Sequence, residues 1–344
     1  MKKIGIVTLH GYGNYGNRLQ NIAIASFVKL KGYYPVNIVR HKDTYSLKDK
    51  VHFFLKRNDL DVKRETEIRK EAKKAVKELS SNKMSKCKKF IFGSDQIWNY
   101  SFLKNDVDYY LGSEIIKKND VLFYAASMSC ETIPYEYSIK FKNNLVQPPS
   151  QIYVRERKTI ELLKKIGIES NYINDPVFLF DSREWTNILS LKNENTGNYY
   201  LCYFLTKNKS KINELEKKAN SEKCILIDLL DKNSPHYCSN LSKFINLIAN
   251  AKKIFTDSFH ASAFSIIFKR DFFVFEREDG NKGMNERIYS LLKEFDLEDR
   301  FISSLENIET ITSKASDSKL ESVKKQSRSV LEKFLAQNNF LTKE

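Results

Sequence analysis

Short apolar runs alternate with stretches of helical spacing from the first residues onward. Residues 4–9 form an apolar run that stops at His10, and residues 19–30 place Leu19, Ile22, Ala23, Ser26, Phe27 and Leu30 at helical spacing. Further buried-strand patterns occur at 36–39, 90–92, 121–125 and 152–154. Residues 62–80 predict a strongly charged helix with a thin apolar stripe of Ile68, Ala72, Ala75, Val76 and Leu79. A second series follows Asp175-Pro176, with strands at 199–205, 224–229, 254–256 and 272–275. A lysine-rich helix and helices at 241–249 and 259–268 alternate with those strands. The stretch 184–198, with Asn193, Asn195, Gly197 and Asn198, reads as a linker, and 315–338 as a basic helix.

Strands separated by helices require parallel pairing through right-handed crossovers. Two such series predict an α/β chain with two Rossmann-like domains facing a cleft. The expected divisions are 1–180, 181–310 and a helical tail at 311–344. In open parallel sheets, ligands sit at the carboxyl ends of the strands.

Composition narrows the partners. The 344 residues exceed one ordinary core, and 41% hydrophobic content argues against disorder. Lysine and arginine (58) outnumber aspartate and glutamate (43), giving +15, a balance that suits anionic partners. Scattered lysines of a lysine-rich composition explain the same excess. Aromatics do not interleave with a basic face, so nucleic acid is not an expected partner. Five cysteines, an odd number without a C-x-x-C pair, argue against a disulfide framework or zinc knuckle and for a reducing compartment. The first apolar run is too short for a signal peptide, and no run of about 18 apolar residues occurs. A cytoplasmic protein is expected. The basic C-terminal helix is compatible with peripheral contact at the inner membrane face, or with a solvated charged surface. Oligomeric state is not legible from these patterns.

Five polar constellations fall at strand ends. HGYGNYGNRLQN (10–21) contains Gly11-x-Gly13-x-x-Gly16, a literal match to the dinucleotide fingerprint between a strand and a helix. The acid expected at the end of the next strand is missing; Val39-Arg40-His41 stands there, and Arg40 suits only a 2′-phosphate. Asn14, Asn17 and Arg18 suggest direct ligand contacts, the alternative being a tight glycine turn with asparagines at positive φ. GSDQIWN (93–99) offers Ser94, Asp95 and Gln96 to sugar hydroxyls and Trp98 as a sugar platform. The competing reading is a turn with a helix cap and a core tryptophan. Val154-Arg155-Glu156-Arg157 places Arg155 where a planar fork grips phosphate or carboxylate, or where a surface ion-pair run sits. In Thr256-Asp257-Ser258-Phe259-His260, Ser258 caps a helix and His260 occupies its first turn, suited to proton transfer or to packing at a seam. Arg287, in Asn285-Glu286-Arg287-Ile288, opens a further helix. No carboxylate-histidine cluster has metal-ligand spacing.

With these words in hand, the chain resembles the polysaccharide pyruvyl transferase family. The matching words are GNYGNRLQN, FGSDQIWN, FYAAS (123–127), YVRER (153–157), NDP (174–176), TDSFHASAFSIIF (256–268), NERI (285–288) and DLEDR (296–300). The resemblance spans roughly residues 1–305. It implies a glycosyltransferase-B-like pair of domains. The implied reaction transfers the enolpyruvyl carbons of phosphoenolpyruvate to two hydroxyls of a sugar, releasing phosphate in polysaccharide biosynthesis. It implies phosphoenolpyruvate as donor substrate with no cofactor or metal, and a free or lipid-linked glycan as acceptor. By resemblance, Arg155, His260 and Arg287 are the functional residues, His260 and Arg155 expected to be catalytic and Arg287 to bind substrate; Asn14, Asn17, Arg18, Ser94, Asp95, Gln96 and Ser258 are expected, from their own positions, to bind substrate. Asn17 stands where many members have Asp, SFHAS replaces SFHGT, and DPV replaces DPT. Two other classes compete: a nucleotide-sugar glycosyltransferase using Glu276 or Glu278 as ribose clamp, and a non-enzymatic module binding anionic glycan.

Overall fold

The computed structural model describes residues 2–40, 55–56, 58–113, 115, 119–145, 151–192, 197–206, 209–277, 282–306 and 308–337. His41, Asn193, Asn195 and Glu278 lie outside the described residues. By its contacts the chain divides into two compact units. The first comprises Met1–His52, Ala72–Leu179 and Val323–Glu344, the second Phe53–Glu71 and Phe180–Ser322.

The first unit is a seven-stranded sheet in which all pairs are parallel. The chain runs β1 (Lys3–Val7), α1 (Tyr15–Leu30), β2 (Tyr34–Val39), then α2 (Leu60–Ala75), whose residues 60–71 count with the second unit, β3 (Lys77–Ser80) and β4 (Lys89–Phe92). It continues through β5 (Asp120–Ala126) to the helices α3 (Tyr135–Leu145) and α4 (Arg157–Lys165), which flank β6 (Gln151–Val154), and to β7 (Asn171–Tyr172). Strand order β3-β2-β1-β4-β5-β6-β7 is doubly wound, and its direction reverses between β1 and β4. Phe90, Phe92, Trp98, Phe123, Phe141 and Val154 are buried in its core.

The helix expected over 62–80 ends earlier, and its last residues form β3. Lys77–Ser80 pairs with Val36–Val39 of β2. Helical spacing of Ala72, Val76 and Leu79 hid this change. The open edge of β2 offers the main chain hydrogen bonds that a polar KELS segment takes up as an edge strand.

The second unit begins with α5 (Ser182–Leu189), then β8 (Tyr199–Tyr203), α6 (Lys209–Ser221), β9 (Ile225–Asp228), α7 (Leu241–Asn250) and β10 (Lys253–Thr256). It ends with α8 (Phe259–Ile267), β11 (Phe272–Phe275), α9 (Lys282–Glu294) and β12 (Phe301–Ile302). Its sheet is again parallel, ordered β12-β11-β10-β8-β9, so the switch point lies between β8 and β10. Phe255 and Phe273 stack across neighbouring strands at 5.5 Å in its core. α5 overwrites the start of the expected linker. Asp181 and Glu184 form a reciprocal capping box, and Trp185 and Leu189 bury one face. A last helix, α10 (Asp317–Ala336), supplies first-unit contacts from Val323 onward: Tyr33 and Tyr124 donate to the carbonyls of Leu335 (2.9 Å) and Ser327 (3.1 Å).

Candidate functional site

In the first unit, the loops leaving β1 and β4 straddle the switch point. Gly93 ends β4's run with φ 123°, and a Cβ there would collide with the Tyr124 carbonyl oxygen, so glycine is required. The close approach lets the loop lie against β5. Ser127 N donates to Asp95 O at 3.1 Å, and Trp98 N donates to Ser127 O at 3.1 Å. Asp95 takes φ 70°, a conformation aspartate tolerates better than most residues. Ser94 is locked by a ring of polar contacts. Its N–H donates to Gln20 Oε1 at 3.0 Å, Gln20 Nε2 donates to Thr8 Oγ1 at 2.8 Å, and Thr8 Oγ1 donates to Ser94 O at 3.2 Å.

Arg155 gathers three carboxylates around this loop. It donates to Asp95 at 3.2 Å, Glu156 at 3.4 Å, Asp175 and Ser94 Oγ at 3.4 Å. Burial works against its charge; Asp175, Asp95 and Glu156 outweigh that and hold the guanidinium above its ordinary value. Glu156 also accepts from Ser127 Oγ, Met128 N (3.2 Å) and Thr159 Oγ1 (3.0 Å). Arg18 is buried too, and burial lowers its pKa despite Tyr12, Glu78 and Asp95 nearby. It donates to Leu9 O and Asn17 Oδ1, and Asn17 Nδ2 donates to Asp95 Oδ2 at 3.0 Å. The side chains of Arg155, Asp175 and Glu156 are 1%, 0% and 4% exposed, whereas Asp95 is 11% exposed. Asp95 is therefore the carboxylate of this cluster that solvent reaches.

The structure brings Asn17, Arg18, Ser94, Asp95 and Arg155 into one network. Asn14 is exposed and caps α1 with φ −121°, accepting from Asn17 N at 3.1 Å, so the positive-φ asparagine turn does not form. Gln96 is half-buried and accepts from Asn99 at 3.3 Å. The local cap is Asn99, which accepts from Phe102 N at 3.2 Å, rather than Ser94 or Asp95. Trp98 is a core residue, not a platform. Its ring lies 5.3 Å from Phe123 and 5.6 Å from Phe141, and its Nε1 donates to Tyr110 O at 3.3 Å. Arg40 pairs with Asp106 at 2.8 Å and lies over the Tyr109 and Tyr110 rings.

In the second unit, the loop leaving β10 is built around Asp257. Its carboxylate accepts from Leu205 N (2.6 Å), Thr206 N (2.9 Å) and Thr206 Oγ1, tying the β8 and β10 loops together at the switch point. Thr256 Oγ1 accepts from Ser258 N at 3.0 Å, and Ser258 caps α8 by accepting from Ala261 N. His260 follows in the first turn. The Phe259 ring sits edge-on to the His260 imidazole at 5.2 Å and beneath the Arg287 guanidinium at 5.1 Å. Arg287 also reaches Met284 Sδ at 3.2 Å. Asn285 fixes the segment leaving β11, accepting from Arg277 N at 2.9 Å and donating to Glu276 at 3.1 Å. Glu276 is thus engaged with Asn285.

Sequence reasoning left out Thr8, Gln20, Glu156, Asp175 and Asp257 as site residues. Glu156, Asp175 and Asp257 fall inside the matching words, where an acid beside an arginine or at a strand end was the available signal; Gln20 follows Arg18 in the first word, and Thr8 lies in the apolar run before it, without such a signal. Among the described residues no helix is long and apolar enough to cross a membrane.

Fold and site together define an α/β protein of two parallel-sheet, Rossmann-like units, each with a polar cluster at its switch point. The family model for polysaccharide pyruvyl transferase matches residues 14–279, and the chain belongs to that family. No curated protein sequence matches significantly. Among solved structures, UDP-GlcNAc 2-epimerase from Neisseria meningitidis bound to UDP-GlcNAc is similar at 11% identity, covering 98% of this chain and 100% of that one (TM-score 0.48). The Methanocaldococcus jannaschii UDP-GlcNAc 2-epimerase is similar at 13% identity, covering 96% and 100% (TM-score 0.48). An uncharacterised Klebsiella pneumoniae protein is similar at 14% identity, covering 88% and 93% (TM-score 0.46).

Proposed function

We propose that this chain transfers the enolpyruvyl group of phosphoenolpyruvate to two hydroxyls of a sugar, forming a cyclic pyruvate ketal and releasing phosphate. The observation behind this reading is the pairing of His260 and Arg287 on one ring, Phe259, at the capped N-terminus of α8. A guanidinium, an imidazole and helix N–H groups suit a donor carrying both phosphate and carboxylate. Family membership supports the same class of reaction.

In the proposed mechanism, a proton goes to the methylene carbon of the donor and leaves an oxocarbenium-like centre at the enol carbon. The first sugar hydroxyl adds there and gives up its proton. The carbon–oxygen bond to phosphate then breaks, and the second hydroxyl closes the ketal. His260 delivers the first proton or accompanies the departing phosphate, and Arg287 holds the anionic groups. Ser258 presents the helix end. Asp95 accepts from sugar hydroxyls, and Asn14 and Gln96 contact the same ligand. Arg155, whose donors already serve Asp95, Glu156, Asp175 and Ser94, acts as a positioning residue, as do Arg18, Asn17 and Ser94.

The test is phosphate release from phosphoenolpyruvate in the presence of a sugar acceptor, comparing wild type with His260→Gln, Arg287→Met and Asp95→Asn. Loss in all three is expected. Near-normal release by His260→Gln and Arg287→Met together would remove the donor assignment.

A further inference from the structure

A cavity of about 870 Å³ lies in the second unit at the carboxyl ends of β8 and β9. Neither His260 on α8 nor Arg287 on α9 lines it, and its volume is within the range of ligand pockets, about 300–1,000 Å³. Among the described residues its wall is acidic: Glu216, Asp228 and Asp231 against one cation, Arg64. That balance is opposite to the +15 of the whole chain, and it disfavours phosphate or any other anion.

The rest of the lining is mixed. Phe204 and Leu226 supply apolar surface, and Thr206 and Asn213 supply neutral hydrogen-bonding groups. The walls are fixed by contacts within the unit. Asp257 holds the Thr206 amide and hydroxyl. Tyr237 donates to Asp61, Lys232 pairs with Asp61 at 2.6 Å, and Arg64 lies 5.4 Å over the Tyr237 ring. Asp228 ends β9, and its Oδ1 accepts from Leu230 N at 2.9 Å. Burial, and then Asp231 nearby, push the Asp228 carboxyl above its ordinary value.

We propose that this cavity binds a neutral saccharide, with Asp228 and Asp231 accepting from hydroxyls and Phe204 and Leu226 meeting the apolar faces of the rings. Carboxylates beside neutral polar groups and aromatic carbon match a ligand that has many O–H donors, apolar C–H faces and no charge. A phosphorylated sugar meets three carboxylates, and a polycation meets Arg64. The choice of a glycan rests on the reading of this chain as acting on sugars. The site itself shares no residue with the donor assignment.

The experiment is saturation-transfer NMR of the full chain with lactose, cellobiose and maltose, followed by titration of the best binder. Asp228→Asn and Asn213→Trp are compared with wild type. Asn213 is an exposed position on α6, so the tryptophan fills the cavity from a solvent-facing site. The expected result is binding of at least one disaccharide, weakened about tenfold by each variant and unchanged in His260→Gln. No binding by wild type, unaltered binding by both variants, or displacement of the disaccharide by UMP at lower concentration would each overturn the proposal. Saccharide binding that maps to the cavity, without phosphate release from phosphoenolpyruvate, sinks the donor reading and leaves the cavity standing. Phosphate release without saccharide binding does the reverse.

Discussion

Arg155 and Asp95 are 60 positions apart in the chain, yet Arg155 Nη2 donates to Asp95 Oδ1 at 3.2 Å in the interior of the first unit. One guanidinium thereby joins the loop leaving β4, the end of β6 and the segment after β7. Asp95, its partly exposed partner, is held in place from inside, by Arg155 on one oxygen and Asn17 on the other.

Removing that cation leaves three carboxylates facing one another without it. Arg155→Met is expected to destabilise the protein by about 3–5 kcal/mol, the cost of breaking a buried pair from one side. Arg155→Lys keeps the charge but not the fork and should fall between the two. Urea denaturation at neutral pH measures both.

Asn17 gives Asp95 a neutral donor at 3.0 Å. Asn17→Asp sets two carboxylates against each other, and such a pair retains a proton. The shared proton raises a folded-state pKa above its unfolded value of about 3.9. Its stabilising contribution is then complete below that unfolded value and lost as pH rises through the folded one. Asn17→Asp is expected to match wild type near pH 4 and to lose stability by pH 8, as read from melting temperatures across that range.

Much of this was legible in the sequence, and the limits have physical causes. Apolar runs such as those around Phe90 and Phe273 located the strands, because parallel strands buried on both faces need continuous hydrophobic residues. β3, β7 and β12 escaped notice: they are short or polar edge strands whose pairing depends on a neighbour rather than on their own pattern. Trp98 was open to two readings because composition does not say which way a loop tryptophan turns. Asp175 and Glu156 were visible only as letters inside NDP and VRER. Their grouping around Arg155 is a tertiary fact. The acidic cavity was hidden for the same reason, since Arg64 and Asp228 meet through the fold alone.

The second unit has its own acid-sensitive contact. Burial alone would raise the Glu222 carboxyl, but Tyr200 and the Lys252 and Lys253 ammonium groups, at 3.0 and 3.3 Å, bring it down to about 2. A depressed carboxylate stabilises the fold above its unfolded pKa, and that contribution is lost as pH falls toward about 2. Glu222→Gln should therefore flatten the acid limb of stability between about pH 4.5 and pH 2. Because the Glu222 side chain is half-buried and still reached by solvent, the effect should shrink in high salt. Unfolding midpoints at pH 5 and pH 3, with and without salt, check this.

Gly93 tests the loop geometry independently of charge. With φ 123° and the Tyr124 carbonyl where a Cβ would go, Gly93→Ala must displace the GSDQ loop or β5. A loss of at least about 2 kcal/mol is expected, together with loss of phosphate release. A Gly11→Ala control, at positive φ but with nothing near its Cβ, should lose less. Chemical denaturation of the two variants distinguishes crowding from strain.

The most direct measurement is mass spectrometry of nitrophenyl glycosides and lipid-linked sugars after incubation with phosphoenolpyruvate and the wild-type protein. The account predicts a sugar heavier by pyruvate less one water, with an equimolar amount of phosphate released, and no product from His260→Gln or Arg287→Met. Unchanged sugars and intact phosphoenolpyruvate, alongside sugar transfer from a nucleotide-sugar donor, would contradict it.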